Sequence, residues 1–142
     1  MKIFYFTMAL TVFSNLLYHI SQKSIPNNIN PMFSIIVTYI TAIVLSIIIF
    51  PFYPAETNIG YSFKKLNWAS FAVGVSIVGV EIGFLLAYRA GWNISLGAVV
   101  SNVAVTLLLI PAGILLFKER LSIANVTGII FCIIGLILVS KK

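Results

Sequence analysis

The sequence predicts an all-α integral membrane protein with five transmembrane helices, and three observations predict it. Of its 142 residues, 61% are hydrophobic and only 8% are charged. A soluble domain carries about 25% charged residues, so this chain lacks the charge to cover a water-facing surface. The apolar residues gather into five runs separated by short polar connections, and about 20 apolar residues suffice for a helix to cross a bilayer. Finally, nearly every residue falls in a run or a connection, which leaves no room for a soluble domain. We read residues 1–142 as a single transmembrane domain with spans at about 3–20, 32–52, 68–88, 94–117 and 121–139.

The first span, Ile3–Ile20, lacks a small-x-small cleavage site and continues into Tyr18, His19 and Ile20, so it is kept as a span and not a signal peptide. Thr11, Asn15 and His19 are spaced i, i+4, i+8, with Tyr18 and Gln22 close by, which makes one face polar. For His19, near the helix end, this predicts helix–helix bonding; for Asn15 it predicts the wall of a water-filled cavity. The polar connection SQKSIPNNINP ends in Pro31, which suits the first turn of the second span. In that span Ser34, Thr38 and Thr41 lie along one face beside Tyr39, and their hydroxyls are expected to bond to their own helix or a neighbour. Pro51 and Pro54 end it. The next connection holds Glu56, Lys64 and Lys65, and Tyr53, Tyr61 and Trp68 are placed as interfacial aromatics.

The third span, WASFAVGVSIVGVEIGFLLAYR, organises the chain. Gly79 and Gly83 form a GxxxG pair that permits close helix approach. Gly74, Glu81 and Tyr88 recur every seventh residue and share a stripe. Glu81 is the one acid deep inside an apolar run. A carboxylate there costs roughly 2.5–3.5 kcal/mol on insertion scales. Protonating it at neutral pH costs a similar amount, about 3.7 kcal/mol from a reference pKa near 4.3. The near balance predicts that Glu81 exchanges a proton near neutral pH. Arg89 lies about 12 Å further along the axis, too far for a direct pair with Glu81 in a straight helix, and is expected to snorkel to the headgroups.

A turn, AGWN, leads to the fourth span. Ser95, Ser101, Asn102 and Thr106 make its first half polar, and Pro111 is expected to kink the second. In the fifth span Gly128 and Gly135 mark a packing face.

The net charge of +6 sits in connections and at the ends. It therefore fits lipid headgroups rather than nucleic acid. The single cysteine, Cys132, excludes an intrachain disulfide. There is no metal-spaced His/Cys cluster, no phosphate-cradling glycine loop and no Ser/His/Asp set, so neither an enzyme nor a cofactor is expected. The lysines and arginines divide almost evenly. Lys2, Lys64, Lys65, Lys118 and Arg120 fall on one side; Lys23, Arg89, Lys141 and Lys142 fall on the other. A bias of one residue predicts insertion both ways round.

The C-terminal stretch LLFKERLSIANVTGIIFCIIGLILVSKK, with its Glu119-x-Leu121 step followed by Gly128 and Gly135, resembles the end of the five-helix EamA-like unit of the drug/metabolite transporter superfamily. Chain length and span count resemble one such unit. The first span lacks the Trp-Gly pair often seen in that family, and Pro111 stands closer to Glu119 than the usual proline. The small multidrug resistance type ends in a similar helix, but it has four helices and a glutamate in the first; here the glutamate is in the third. The resemblance implies half of an inverted-repeat transporter with a central cavity, exporting or exchanging small metabolites or drugs. The expected partners are a small-molecule substrate, the lipid bilayer and a second, antiparallel copy of the chain. A multi-pass position in a bacterial or archaeal plasma membrane is expected. Glu81, Asn15, Tyr88, Asn102, Ser101 and Tyr18 are the candidate substrate and proton-binding residues, favouring a cationic or zwitterionic substrate. The competing reading is a non-transporting membrane subunit or lipid-flippase accessory whose Glu81 pairs with a partner chain.

Overall fold

A computed structural model describes residues 2–53, 59–119 and 121–140. Among these residues there are only helices and their connections: α1 (Lys2–Ser24), α2 (Pro31–Ile49), a 3-10 turn (Phe50–Phe52), α3 (Ile59–Lys65), α4 (Trp68–Arg89), α5 (Ile94–Phe117) and α6 (Ile123–Ser140). Four of them, α1, α2 with its 3-10 turn, α4 and α5, are long and apolar enough to cross a bilayer, which is the make-up of a membrane-embedded protein. The apolar stretch of α6, Ile123–Gly135, is shorter. The chain divides into two compact units, Met1–Ala90 and Gly91–Lys142. In the first, α1 and α2 both pack on α4; in the second, α5 packs on α6.

Local chemistry explains most helix ends. Asn30 caps α2, its side chain accepting from the Met32 N–H at 2.9 Å, with Pro31 in the first turn as expected. Asn67 caps α4 in the same way, accepting from the Ala69 N–H at 3.0 Å. The α2 helix tightens into the 3-10 turn at Pro51, whose ring cannot donate the next helical bond. Gly91, with φ of 100°, turns the chain after α4 in a conformation that suits glycine. At the end of α5, Lys118 takes a left-handed φ of 54° and its N–H bonds back to the Gly113 carbonyl. The α5 helix runs on through Pro111.

Two elements differ from the sequence reading. The α1 helix continues to Ser24 rather than ending at Ile20; the Ser24 hydroxyl bonds back to the Ile20 carbonyl at 2.8 Å, and Gln22 finds a partner on α4. A short helix, α3, forms in the connection read as irregular, and Lys65 Nζ stands 4.9 Å from the centre of the Tyr61 ring. Pro54, Glu56, Arg120, Lys141 and Lys142 lie outside the described residues.

Six serine and threonine hydroxyls of the apolar helices bond to the carbonyl one turn back in their own helix. Thr38 bonds to the Ser34 carbonyl, Thr41 to Val37, Ser46 to Ala42, Ser76 to Ala72, Thr106 to Asn102 and Thr127 to Ile123. For these side chains, bonding to the backbone meets the demand, strict in hydrocarbon, that polar groups be paired without water. The outer faces are apolar: Phe13, Val75 and Leu108 are each more than two-thirds exposed. The inside of the first unit is the polar part. Alongside Ile35, Leu85 and Tyr88, it buries His19, Gln22 and Glu81, an inversion of the usual soluble arrangement.

Candidate functional site

The buried polar cluster forms where α1 crosses α4. On α4, Glu81, Leu85 and Tyr88 are spaced i, i+4, i+7 and turn one face inward. On α1, Tyr18, His19 and Gln22 meet that face. The Gln22 side-chain amide donates to the Glu81 carboxylate across 59 residues of sequence, in a bond between two buried groups. One and a half to two turns further along α4, the Tyr88 hydroxyl and His19 Nδ1 stand 2.8 Å apart. Lys23 Nζ donates to the Tyr88 carbonyl at 3.0 Å and lies 5.7 Å from the centre of its ring.

Aromatic rings seal the cluster. Phe84 meets Tyr18 edge-on at 5.9 Å and His19 edge-on at 4.7 Å, and stacks on Tyr88 at 5.8 Å. Such offset and edge-on pairs add to the packing beyond buried area alone. Tyr18 from α1 and Tyr39 from α2 both lie within electrostatic reach of Glu81. Their hydroxyls, with Gln22 Oε1, are buried and have no hydrogen-bond partner among the described residues. Buried polar atoms are nearly always paired. Tyr18 lies close enough to Gln22 to hydrogen-bond with it, and a tyrosine hydroxyl can donate as well as accept.

Beside this cluster, α2 and α4 leave a wide apolar groove of about 690 Å³ whose walls include Tyr39, Ala42, Ser46, Phe50, Gly74 and Ile77. Tyr39 belongs to the groove wall and to the surroundings of Glu81. The stripe read from Gly74 through Glu81 to Tyr88 therefore passes from an apolar groove to a polar core.

Of the candidate residues, Glu81, Tyr88 and Tyr18 come together here. Asn15 is exposed on α1. Asn102 is exposed and Ser101 half-buried on α5, in the second unit. His19, expected to bond between helices, does so through Tyr88 of α4 and belongs to the site, as does Gln22, a residue of the polar face of α1. Arg89, expected at the headgroups, directs Nη2 to the carbonyls of Pro26 and Ile29 at 3.1 and 2.8 Å. The GxxxG glycines have open space around them within the chain: nothing lies within 4 Å of a Cβ built at Gly79 or Gly83. Among the described residues no cluster of His, Cys, Asp and Glu is placed to hold a metal ion. Comparisons with protein-family models, curated proteins and solved structures find no match.

Proposed function

We propose that this chain is a small-molecule transporter, one five-helix half of an inverted-repeat assembly related to the EamA-like unit. It works as an antiparallel homodimer in a bacterial or archaeal plasma membrane and exports or exchanges cationic or zwitterionic compounds against protons. The observation that carries this reading is Glu81, a carboxylate buried within a helix of bilayer length. An ionisable group at that depth is expensive and marks a pathway by default. Glu81 lies about 20 Å from the start of α4 and about 11 Å from Tyr88, inside the hydrocarbon and off centre. In an antiparallel pair its two copies would sit roughly 10 Å apart along the membrane normal in a core about 30 Å thick, close enough to face one cavity. Inverted repeats meeting near the midplane are a common solution to alternating access.

A proton and a cationic substrate then compete for one carboxylate, because each is stabilised by its negative charge. The test is substrate binding against pH, followed by transport in vesicles carrying only this protein. Competition weakens binding as pH falls, and Glu81→Gln loses both the pH dependence and the proton coupling while keeping the fold. PH-independent affinity in the unmodified protein ends the proposal.

A second reading has support of its own. The Gln22 amide already holds Glu81, as it would in a non-transporting subunit or flippase accessory whose carboxylate serves assembly with a partner chain. Vesicles that accumulate no member of a panel of organic cations would favour it.

A further inference from the structure

The first unit carries a second polar site, separate from Glu81 in chemistry. At one end α1 closes at Ser24 and α4 at Arg89, and the chain turns through residues 25–30 into α2. A cavity of about 70 Å³ lies there, lined by Gln22, Lys23, Ile25, Asn27, Tyr88 and Arg89. Two of these side chains are cationic and none is acidic. A water takes up roughly 30 Å³ in the liquid, so a small tetrahedral oxyanion has room.

Both cations are held at the wall. Lys23 Nζ donates to the Tyr88 carbonyl at 3.0 Å, and Arg89 Nη2 donates to the carbonyls of Pro26 and Ile29 at 3.1 and 2.8 Å. A guanidinium has five N–H donors. The Nε of Arg89 is buried without a hydrogen-bond partner among the described residues. Arg89 as a whole is half-buried, but an unmet donor atom enclosed by protein is costly, and an acceptor of negative charge is what would meet it. The Gln22 amide nitrogen is committed to Glu81; the Arg89 Nε and the Asn27 amide are the donors at the wall, and the Lys23 ammonium adds positive charge. An ammonium beside a planar guanidinium suits a tetrahedral oxyanion. The apolar runs of α1 and α4 both end at this point, at the depth where headgroup phosphates lie.

We propose that the cavity between Lys23 and Arg89 binds a phosphate-class oxyanion, supplied by a lipid headgroup or by free phosphate. The full chain in a neutral sugar detergent is titrated at constant ionic strength with inorganic phosphate, short-chain phosphatidylglycerol or the matching diacylglycerol, and its thermal unfolding midpoint is followed. Phosphatidylglycerol, phosphate or both raise the midpoint saturably, and diacylglycerol does not. Saturation by inorganic phosphate identifies a free-phosphate site, and saturation by phosphatidylglycerol alone identifies a headgroup site. Lys23→Gln and Arg89→Gln weaken the effect at least tenfold. Because Arg89→Gln also removes two carbonyl contacts, Asn27→Glu is the companion variant: it keeps them, places a carboxylate at the cavity wall and weakens binding by a similar factor. The proposal is overturned if neither phosphate species stabilises the protein, if diacylglycerol does so equally, or if Lys23→Gln and Asn27→Glu leave the midpoint shifts unchanged.

Discussion

Replacing Gln22 and Glu81 by leucine, singly and together, tests whether α1 and α4 are joined through their polar core. The two side chains are 5% and 7% exposed and hydrogen-bonded to each other. Gln22→Leu leaves a buried carboxylate without its amide donor, and Glu81→Leu strands the amide; each such loss costs about 1–3 kcal/mol. The double replacement removes both halves and costs less than the two single replacements added together, since an apolar pair of similar size has no unmet polar group. The coupling energy needs a lower figure than the single costs suggest. Helix–helix hydrogen bonds in bilayers average about 0.6 kcal/mol and reach about 1.7, because the unfolded helices find other partners. Charge assistance roughly doubles a bond, so we expect about 1.2 kcal/mol of coupling. Reversible unfolding in mixed micelles, titrated with a denaturing detergent, gives the stabilities of the cycle. Independent sites add to within about 0.3–0.5 kcal/mol. Single-variant costs that sum to the double-variant cost within that margin would refute the reasoning.

Further outcomes follow from the same packing. Leu85 is 1% exposed between Glu81 and Tyr88, and Leu85→Ala should cost about 2–5 kcal/mol through the cavity it leaves, measured by the same micelle titration. Asn30→Ala should cost about 1 kcal/mol by removing the cap on α2, seen as faster amide hydrogen exchange in the first turn of that helix with α4 unchanged. The even division of lysines and arginines predicts both orientations in one membrane. Labelling a cysteine tag on the C-terminus from one side should modify only part of the population, and complete labelling from one side would count against dual insertion.

Much of the helix plan was legible because apolar runs and their breakers are local signals. Pro31, Pro51 and the turn AGWN act within a few residues of themselves, and the observed ends of α2 and α4 follow them, while the Asn30 and Asn67 caps emerge only in the structure. Glu81 was legible for the opposite reason: nothing nearby in sequence explains an acid there. Its partner was not. Gln22 stands in the polar run SQKS just beyond Ile20, which reads as the start of a connection. Continued as helix, that run places Tyr18, His19 and Gln22 on the face that meets α4. The signal was present as i, i+1, i+4 spacing, but choosing it required the crossing of α1 on α4, a non-local fact. The role of Arg89 was hidden in the same way, since its acceptors are backbone carbonyls 60 and 63 residues away. The α3 helix, only seven residues long, has too little periodicity to stand out from its polar surroundings.

The bonding around Tyr88 has a mechanical consequence. Its hydroxyl meets His19 and its carbonyl receives Lys23, while one and two turns earlier Leu85 and Glu81 are packed or bonded inward. The paired helices α1 and α4 are pinned at several heights and should tilt as a single beam. By contrast, no side-chain hydrogen bond joins α2 to α4 among the described residues: Thr38, Thr41 and Ser46 bond within their own helix. Only Ile35 of α2 is fully buried, and a wide groove separates much of its length from α4. The seam along α2 is therefore the compliant one: a force on this unit would open it before the α1–α4 beam bends.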